Sequence, residues 1–287
     1  MSPRRNARAL TPAPRRHAAS GRTRALGQHF LRDDVVAERI VALVAPTARD
    51  LVLEIGPGQG ALTGRLARTA GRLLAIEVDV GLATALTERF AGASHVEIRI
   101  ADGRSFDYST LPGMKPKPDG RVLVVGNLPY SVGKPILMAL VEAGRAIDEM
   151  ALMLQKEVAE RVAAEPGGRT YGSLSVLSQI ACETRLCFAV PPGAFRPPPQ
   201  VDSAVLHLRV RAGSLVPPGQ AQQFRTVVLA AFSQRRKSLA NALASGLKMG
   251  SERTRALCEA ANIEPGRRAE TLSLAEFARL VDASEGR

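Results

Sequence analysis

Three stretches of the sequence carry residues suited to holding a small, nucleotide-like molecule. Val52-Leu53-Glu54-Ile55-Gly56-Pro57-Gly58-Gln59-Gly60-Ala61 is an apolar strand, a glycine-rich turn and a helix start. Glycine lets backbone come close to a ligand and aims amide groups at it from a helix N-terminus, so Gly56 and Gly58 are candidate contacts. Glu77 closes the next apolar stretch, Arg72 to Val78, where a carboxylate can accept from both hydroxyls of a ribose. Asp102, in Ala101-Asp102-Gly103 after Val96 to Ile100, offers a second carboxylate, suited to the exocyclic amine of an adenine. Glu54 is a supporting candidate, placed to orient backbone amides of the turn.

The loop by itself leaves two cofactor classes open. Gly56-x-Gly58-x-x-Ala61 with an acidic residue about 20 positions later also satisfies the loose dinucleotide fingerprint of nicotinamide enzymes. The discriminating stretch is Val124-Val125-Gly126-Asn127-Leu128-Pro129-Tyr130, which follows a fourth strand and lies where ligands bind in open parallel sheets. It joins a side-chain amide, a carbonyl held out of helix by the proline after it, and an aromatic ring.

The elements that must position these residues alternate. Strands are expected at Leu51–Ile55, Arg72–Val78, Val96–Ile100, Arg121–Val125, Glu149–Leu154, Thr184–Val190 and Ala204–Val210. Helices are expected after Asp33 or Asp34 and ending at Pro46, from Ala61, and near Leu82 to Phe90. Such alternation indicates an α/β fold with a mostly parallel, seven-stranded sheet covered on both faces. The last two strands, joined by a proline-rich loop, should form an antiparallel hairpin at one edge. A Pro/Gly linker at 214–220 precedes a purely helical pattern, so the expected organisation is a basic arm over 1–24, a Rossmann-like domain over 25–212 and a small all-helical domain over 217–287.

Charge points to the partner. The chain has 39 basic and 27 acidic residues, a net +12, which favours a polyanion, with nucleic acid first. Residues 1–24 hold seven arginines, three prolines and no acid, a composition expected to stay disordered. Arg235, Arg236, Lys237 and Lys248, taken with that net charge, are candidate phosphate contacts, giving salt-sensitive affinity without sequence choice. An aromatic content of 4% argues against a broad base-stacking platform. No apolar run approaches the roughly 18 to 20 residues of a membrane span, and no secretory h-region follows the arm, so a cytoplasmic location is expected. Cys182, Cys187 and Cys258 make no CxxC pair and the four histidines no ligand spacing, so neither disulfides nor a metal are expected.

Taken together, Leu26-Gly27-Gln28-His29-Phe30-Leu31, the Asn127–Tyr130 loop, Phe195-Arg196-Pro197-Pro198-Pro199-Gln200-Val201-Asp202-Ser203, Phe232-Ser233-Gln234-Arg235-Arg236-Lys237 and Arg268-Ala269-Glu270-Thr271-Leu272-Ser273 resemble the small-subunit ribosomal RNA adenine dimethyltransferase family, from about Arg24 to Leu280. One departure is His29, where many members carry asparagine. The resemblance implies S-adenosyl-L-methionine as cofactor, held at His29, Leu31, Gly56, Glu77, Asp102 and Asn127. It also implies two adjacent adenines near the 3′ end of small-subunit rRNA as substrate, a link to maturation of the immature small ribosomal subunit, and, by default, a monomer. In that setting Asn127 and the Leu128 carbonyl would accept the target amine's hydrogens, with Pro129 fixing the turn. Tyr130 would stack on the base and Phe195 close its other face.

Overall fold

The computed structural model describes residues 28–213, 215–217 and 219–285. The basic arm expected over 1–24, and Leu26 and Gly27 of the first motif, lie outside the described residues. The strands are β1 (Phe30–Leu31), β2 (Leu51–Ile55), β3 (Arg72–Glu77), β4 (Val96–Ile100), β5 (Val122–Asn127), β6 (Glu149–Gln155), β7 (Cys182–Val190), β8 (Phe195–Arg196) and β9 (Ser203–Val210). Seven form one sheet in the order β4-β3-β2-β5-β6-β9-β7. Pairs from β4 through β6 are parallel, and β9 is antiparallel to both β6 and β7, as expected for the edge hairpin.

Strand alternation builds two cores. Leu51, Leu53, Ile55, Val122 and Val124 face one side of the sheet, while Val52, Leu123 and Val125 face the other, the period-2 consequence of the pleat. Glu54 falls in the second set, a carboxylate where the pattern calls for an apolar residue. The first face is covered by α4 (Gly133–Glu142), α5 (Lys156–Val162) and α6 (Ser173–Ala181), the second by α1 (Asp34–Val44) and α2 (Thr63–Thr69), with α3 (Val80–Arg89) following β3. Asp33 caps α1, its carboxylate accepting from the Val36 amide at 3.0 Å, and the helix ends at Ala45 with φ 39°, because Pro46 cannot extend it. The helix expected from Ala61 begins two residues later, at Thr63, and the one expected from Leu82 begins at Val80, where Asp79 caps the Gly81 and Leu82 amides.

The last quarter is helical: α7 (Ala221–Ala231), α8 (Leu239–Leu247), α9 (Ser251–Ala260) and α10 (Leu274–Glu285). These helices bury Phe224, Val228, Leu243, Leu257, Phe277 and Leu280 in a third core that also takes in Tyr171, Val176 and Leu177 from α6 and the turn before it. The joint is polar as well as apolar. The Tyr171 hydroxyl donates to the Leu272 carbonyl at 3.0 Å, and the Gly167 amide to the Glu270 carbonyl at 2.7 Å.

Sequence pattern did not predict the small second sheet. In it β1 pairs antiparallel with β8, Phe30 opposite Arg196 and Leu31 opposite Phe195, laying the start of the described chain across the end of the large sheet.

Candidate active site

Register explains why the chemistry-bearing residues meet. Ile55 pairs with both Ile76 and Gly126, and Glu77 with Ile100, so β2, β3, β4 and β5 finish together. The order turns from β2-β3-β4 on one side to β5-β6 on the other, creating a crevice at the switch point. A cleft opens there, lined by Gln28, His29, Gly56, Gly58, Glu77, Asp102 and the whole Asn127–Tyr130 loop, with Val78 and Ile136 among its apolar walls.

Its floor is the glycine turn. Gly56 and Gly58 take φ of 66° and 56°, a left-handed backbone that side chains rarely adopt. A Cβ on Gly58 would stand 3.0 Å from the Phe30 ring, so the turn and β1 pack without space for one. Glu77 holds the turn from beneath: one carboxylate oxygen accepts from the Gly58 amide at 3.1 Å, and the other from Val78 and Asp79 at 2.9 and 3.0 Å. Burial raises its pKa against the pull of these amides. Asp102 sits across the cleft, its pKa lowered mainly by Arg104, whose Nε reaches both carboxylate oxygens at 3.1 and 3.0 Å. The Tyr108 hydroxyl fixes the same turn by donating to the Gly103 carbonyl at 2.5 Å.

Among the described residues, two buried acceptors along the crevice, the Gln28 Oε1 and the Glu54 Oε2, have no partner. Burial pushes the Glu54 carboxyl up to about 8, opposed by the neighbouring Thr63 hydroxyl and amide and aided by the Glu77 charge. Gln28 and Glu54 flank the glycine turn, leaving polar atoms that a ligand in the crevice can meet. This set of acceptors, the Glu77 and Asp102 carboxylates and the unpaired oxygens near the turn, suits a nucleoside carrying an amino acid.

In the Asn127–Tyr130 loop the Asn127 Nδ2 donates to the His29 carbonyl at 3.0 Å. Leu128 is buried and its amide donates to the Met153 carbonyl, so only its own carbonyl remains for a ligand. The Tyr130 hydroxyl shares a 2.6 Å hydrogen bond with the Ser203 Oγ. The His29 ring lies 5.3 Å from the Tyr130 ring, and its Nδ1 donates to the Pro197 carbonyl at 2.8 Å.

A search against family models matches residues 20–284 to the one described as ribosomal RNA adenine dimethylase. The ribosomal RNA small subunit methyltransferase A of Xanthomonas axonopodis pv. citri is 44% identical over 264 residues, covering 90% of this chain and 95% of that protein. The chain belongs to the ribosomal RNA adenine dimethylase family. Among solved structures, the 23S rRNA methyltransferase ErmE superposes with TM-score 0.67 at 26% identity over 89% of this chain and 99% of that one. A dimethyladenosine transferase from Plasmodium falciparum shares the fold, with TM-score 0.74 at 23% identity over 88% of this chain and 96% of that one.

Against this family framework, the cleft brings together His29, Gly56, Gly58, Glu77, Asp102 and Asn127 through Tyr130. Leu31 lies one layer back, buried beside the glycine turn. Phe195 requires a correction: its ring is 0% exposed, packed with Leu31, Ile40 and Val205 under the β1–β8 pair, and it offers no face to a base. Pairing with β1 turned an expected pocket residue into core. Arg235 is also engaged, its guanidinium bonding Glu270 and the Arg169 carbonyl, so it ties the helical region to the turn before α6. Arg236, Lys237 and Lys248 are exposed. The residues sequence reasoning passed over are Gln28, Phe30, Pro197 and Ser203. All four lie inside quoted motifs, but their roles depend on contacts up to 168 residues apart.

Proposed function

We infer that the protein transfers methyl groups from S-adenosylmethionine to the exocyclic amine of adenine in small-subunit ribosomal RNA, dimethylating two adjacent adenines near its 3′ end. The observation that carries the reading is a single cleft joining the glycine turn and its two carboxylates to the Asn127–Tyr130 loop. Gly56, Gly58, Glu77 and Asp102 would hold the cofactor, with Gln28 and Glu54 supplying acceptors. When bound, the cofactor supplies an electrophilic methyl group.

An adenine amine is a weak nucleophile because its lone pair is delocalised into the ring. The Asn127 Oδ1 and the Leu128 carbonyl would accept its two hydrogens, drawing the lone pair out of conjugation at the amine nitrogen. Tyr130, pinned by Ser203, would carry the base on its ring, aromatic stacking on a base being worth about 1–3 kcal/mol. The base must leave its RNA stack to arrive there. Positioning supplies the acceleration, and the amine proton leaves to water after the new bond forms.

The wider reading places the chain on the immature small subunit in the cytoplasm, as a monomer. It divides into a methyltransferase domain over 25–212 and an RNA-binding helical domain over 217–287, in which Arg236, Lys237 and Lys248, with the Arg235 region, meet phosphate. No helix among the described residues is long and apolar enough to cross a membrane. The test is methyl transfer from labelled S-adenosylmethionine to small subunits lacking the modification, with free rRNA alongside. Dimethyladenosine on the subunit supports the reading, and cofactor binding without transfer overturns it.

A further inference from the structure

The two carboxylates that face the cleft beside the glycine turn are held in different ways. Glu77 is fixed by backbone amides, those of Gly58, Val78 and Asp79, which belong to the fold and stay in place. Asp102 is fixed by a single residue. The Arg104 amide donates to its Oδ1 at 2.8 Å, and the Arg104 guanidinium closes over what remains: Nε stands 3.1 Å from Oδ1 and 3.0 Å from Oδ2, and Nη2 stands 2.5 Å from Oδ2. An ionised carboxylate offers about four lone-pair sites, and the fork takes those that the amide leaves.

The fork is not needed to build the site. The turn carrying Asp102 is set by the Ser105 amide, which donates to the Asp102 carbonyl at 3.1 Å, and by the Tyr108 hydroxyl on the Gly103 carbonyl. The Arg104 amide then aims the carboxylate by itself. The guanidinium reaches in from the solvent side: the Arg104 side chain is 54% exposed against 30% for Asp102, and among the described residues the guanidinium bonds nothing else.

We propose that Arg104 competes with the cofactor's adenine for Asp102. Its guanidinium occupies the oxygens that the exocyclic amine needs, so the cofactor binds by displacing it and with lower affinity than the cleft alone would give. This rests on the reading of Asp102 as the adenine carboxylate. Displacement is mild, because an exposed ion pair is weak and the freed side chain returns to water. The clamp therefore trims affinity without closing the site. It acts alike on the methyl donor and on S-adenosylhomocysteine, which carry the same adenine, and so weakens product retention as much as cofactor capture.

Calorimetric titration of the full-length protein with S-adenosylhomocysteine tests this. Arg104→Ala should bind about two- to fivefold more tightly than the parent, the range for an exposed ion pair, with the thermal midpoint of the free protein little changed. An analogue with hydrogen in place of the 6-amino group has no amine to offer Asp102, so its affinity should be the same for parent and Arg104→Ala. In an Asp102→Ala background, adding Arg104→Ala should change nothing. Unchanged or weaker binding of S-adenosylhomocysteine by Arg104→Ala would overturn the proposal, weaker binding making the guanidinium a cofactor contact. An equal gain for the analogue would overturn it as well. Asp102→Ala alone separates the two levels. If it binds S-adenosylhomocysteine as tightly as the parent, Asp102 is not the adenine carboxylate and the underlying reading fails; if it binds more weakly while Arg104→Ala gains nothing, only the competition fails.

Discussion

Where the parallel strands begin, Asp50 and Glu149 are 2% and 5% exposed, and each is surrounded by donors. Arg121 bonds Asp50 at 2.9 Å and Glu149 at 3.1 Å, His207 donates to Glu149 at 2.5 Å, and Thr47 adds its amide and hydroxyl to Asp50. Where the strands finish, Glu54 and Glu77 are 1% and 3% exposed, yet Glu54 retains an unpartnered oxygen and Glu77 has only backbone amides. Burial opposes ionisation at both ends. Arg121 and Thr47 overcome it at Asp50, bringing its pKa to about 2, whereas nothing comparable offsets it at Glu54, which rises to about 8. One end is closed electrostatically and holds the sheet together. The other is left open, which costs stability and leaves acceptors for a ligand.

Substitutions should therefore separate cleanly into those that stop chemistry and those that loosen the fold. Asn127→Ala should lower methyl transfer by about 10²–10³-fold, the range for losing one positioned polar group from a reaction site, with the thermal midpoint little changed. A matching fall in stability would blur the distinction. Phe195→Ala tests which end its ring serves. As core it should destabilise by about 3–4 kcal/mol in denaturant titration, and a stable variant defective only in turnover would return the ring to the base pocket. Arg121→Ala should cost about 2–3 kcal/mol, below the value for a fully buried pair because the guanidinium is partly exposed, and should leave activity intact below its lowered midpoint.

The two ends should also differ in pH dependence. Glu54 binds its proton more tightly folded, at about 8 against 4.5, so its contribution is fully present below about pH 4.5 and is lost as pH rises toward 8. Asp50 runs the other way, its contribution present above pH 3.8 and lost toward 2. Midpoints measured across pH 5 to 8 should fall in the parent and flatten in Glu54→Gln. Parallel profiles would mean that the carboxyl ionises freely in the fold.

Much of the open end was legible because local pattern suffices to specify it. Gly56 and Gly58, the acids closing or following the strands and the Asn127 loop are each short-range signals, and parallel register does the rest by aligning strand ends. The hairpin of β7 and β9 was legible from its proline-rich connection. Phe195 misled because its burial depends on pairing with β1, which no periodicity over two residues can announce. Arg235, read as a phosphate site from its basic run, has a partner that no local pattern shows, Glu270, 35 residues away. The closed end went unnoticed for the same reason: Asp50, Arg121, Glu149 and His207 are an ordinary scatter of charges until the sheet gathers them.

The β1–β8 pair also sets a clock. Pro197, whose carbonyl accepts from the His29 ring, is synthesised 168 residues after it. At synthesis rates of 5–20 residues per second that interval is roughly 10 to 30 seconds. Within it the glycine turn and then Asn127, 98 residues after His29, are made while the His29 ring still lacks the Pro197 carbonyl. Loop closure over so long a separation is slow and comes late, so a nascent chain reaches this point with an unfinished reaction site and acquires a finished one only when most of its length has emerged.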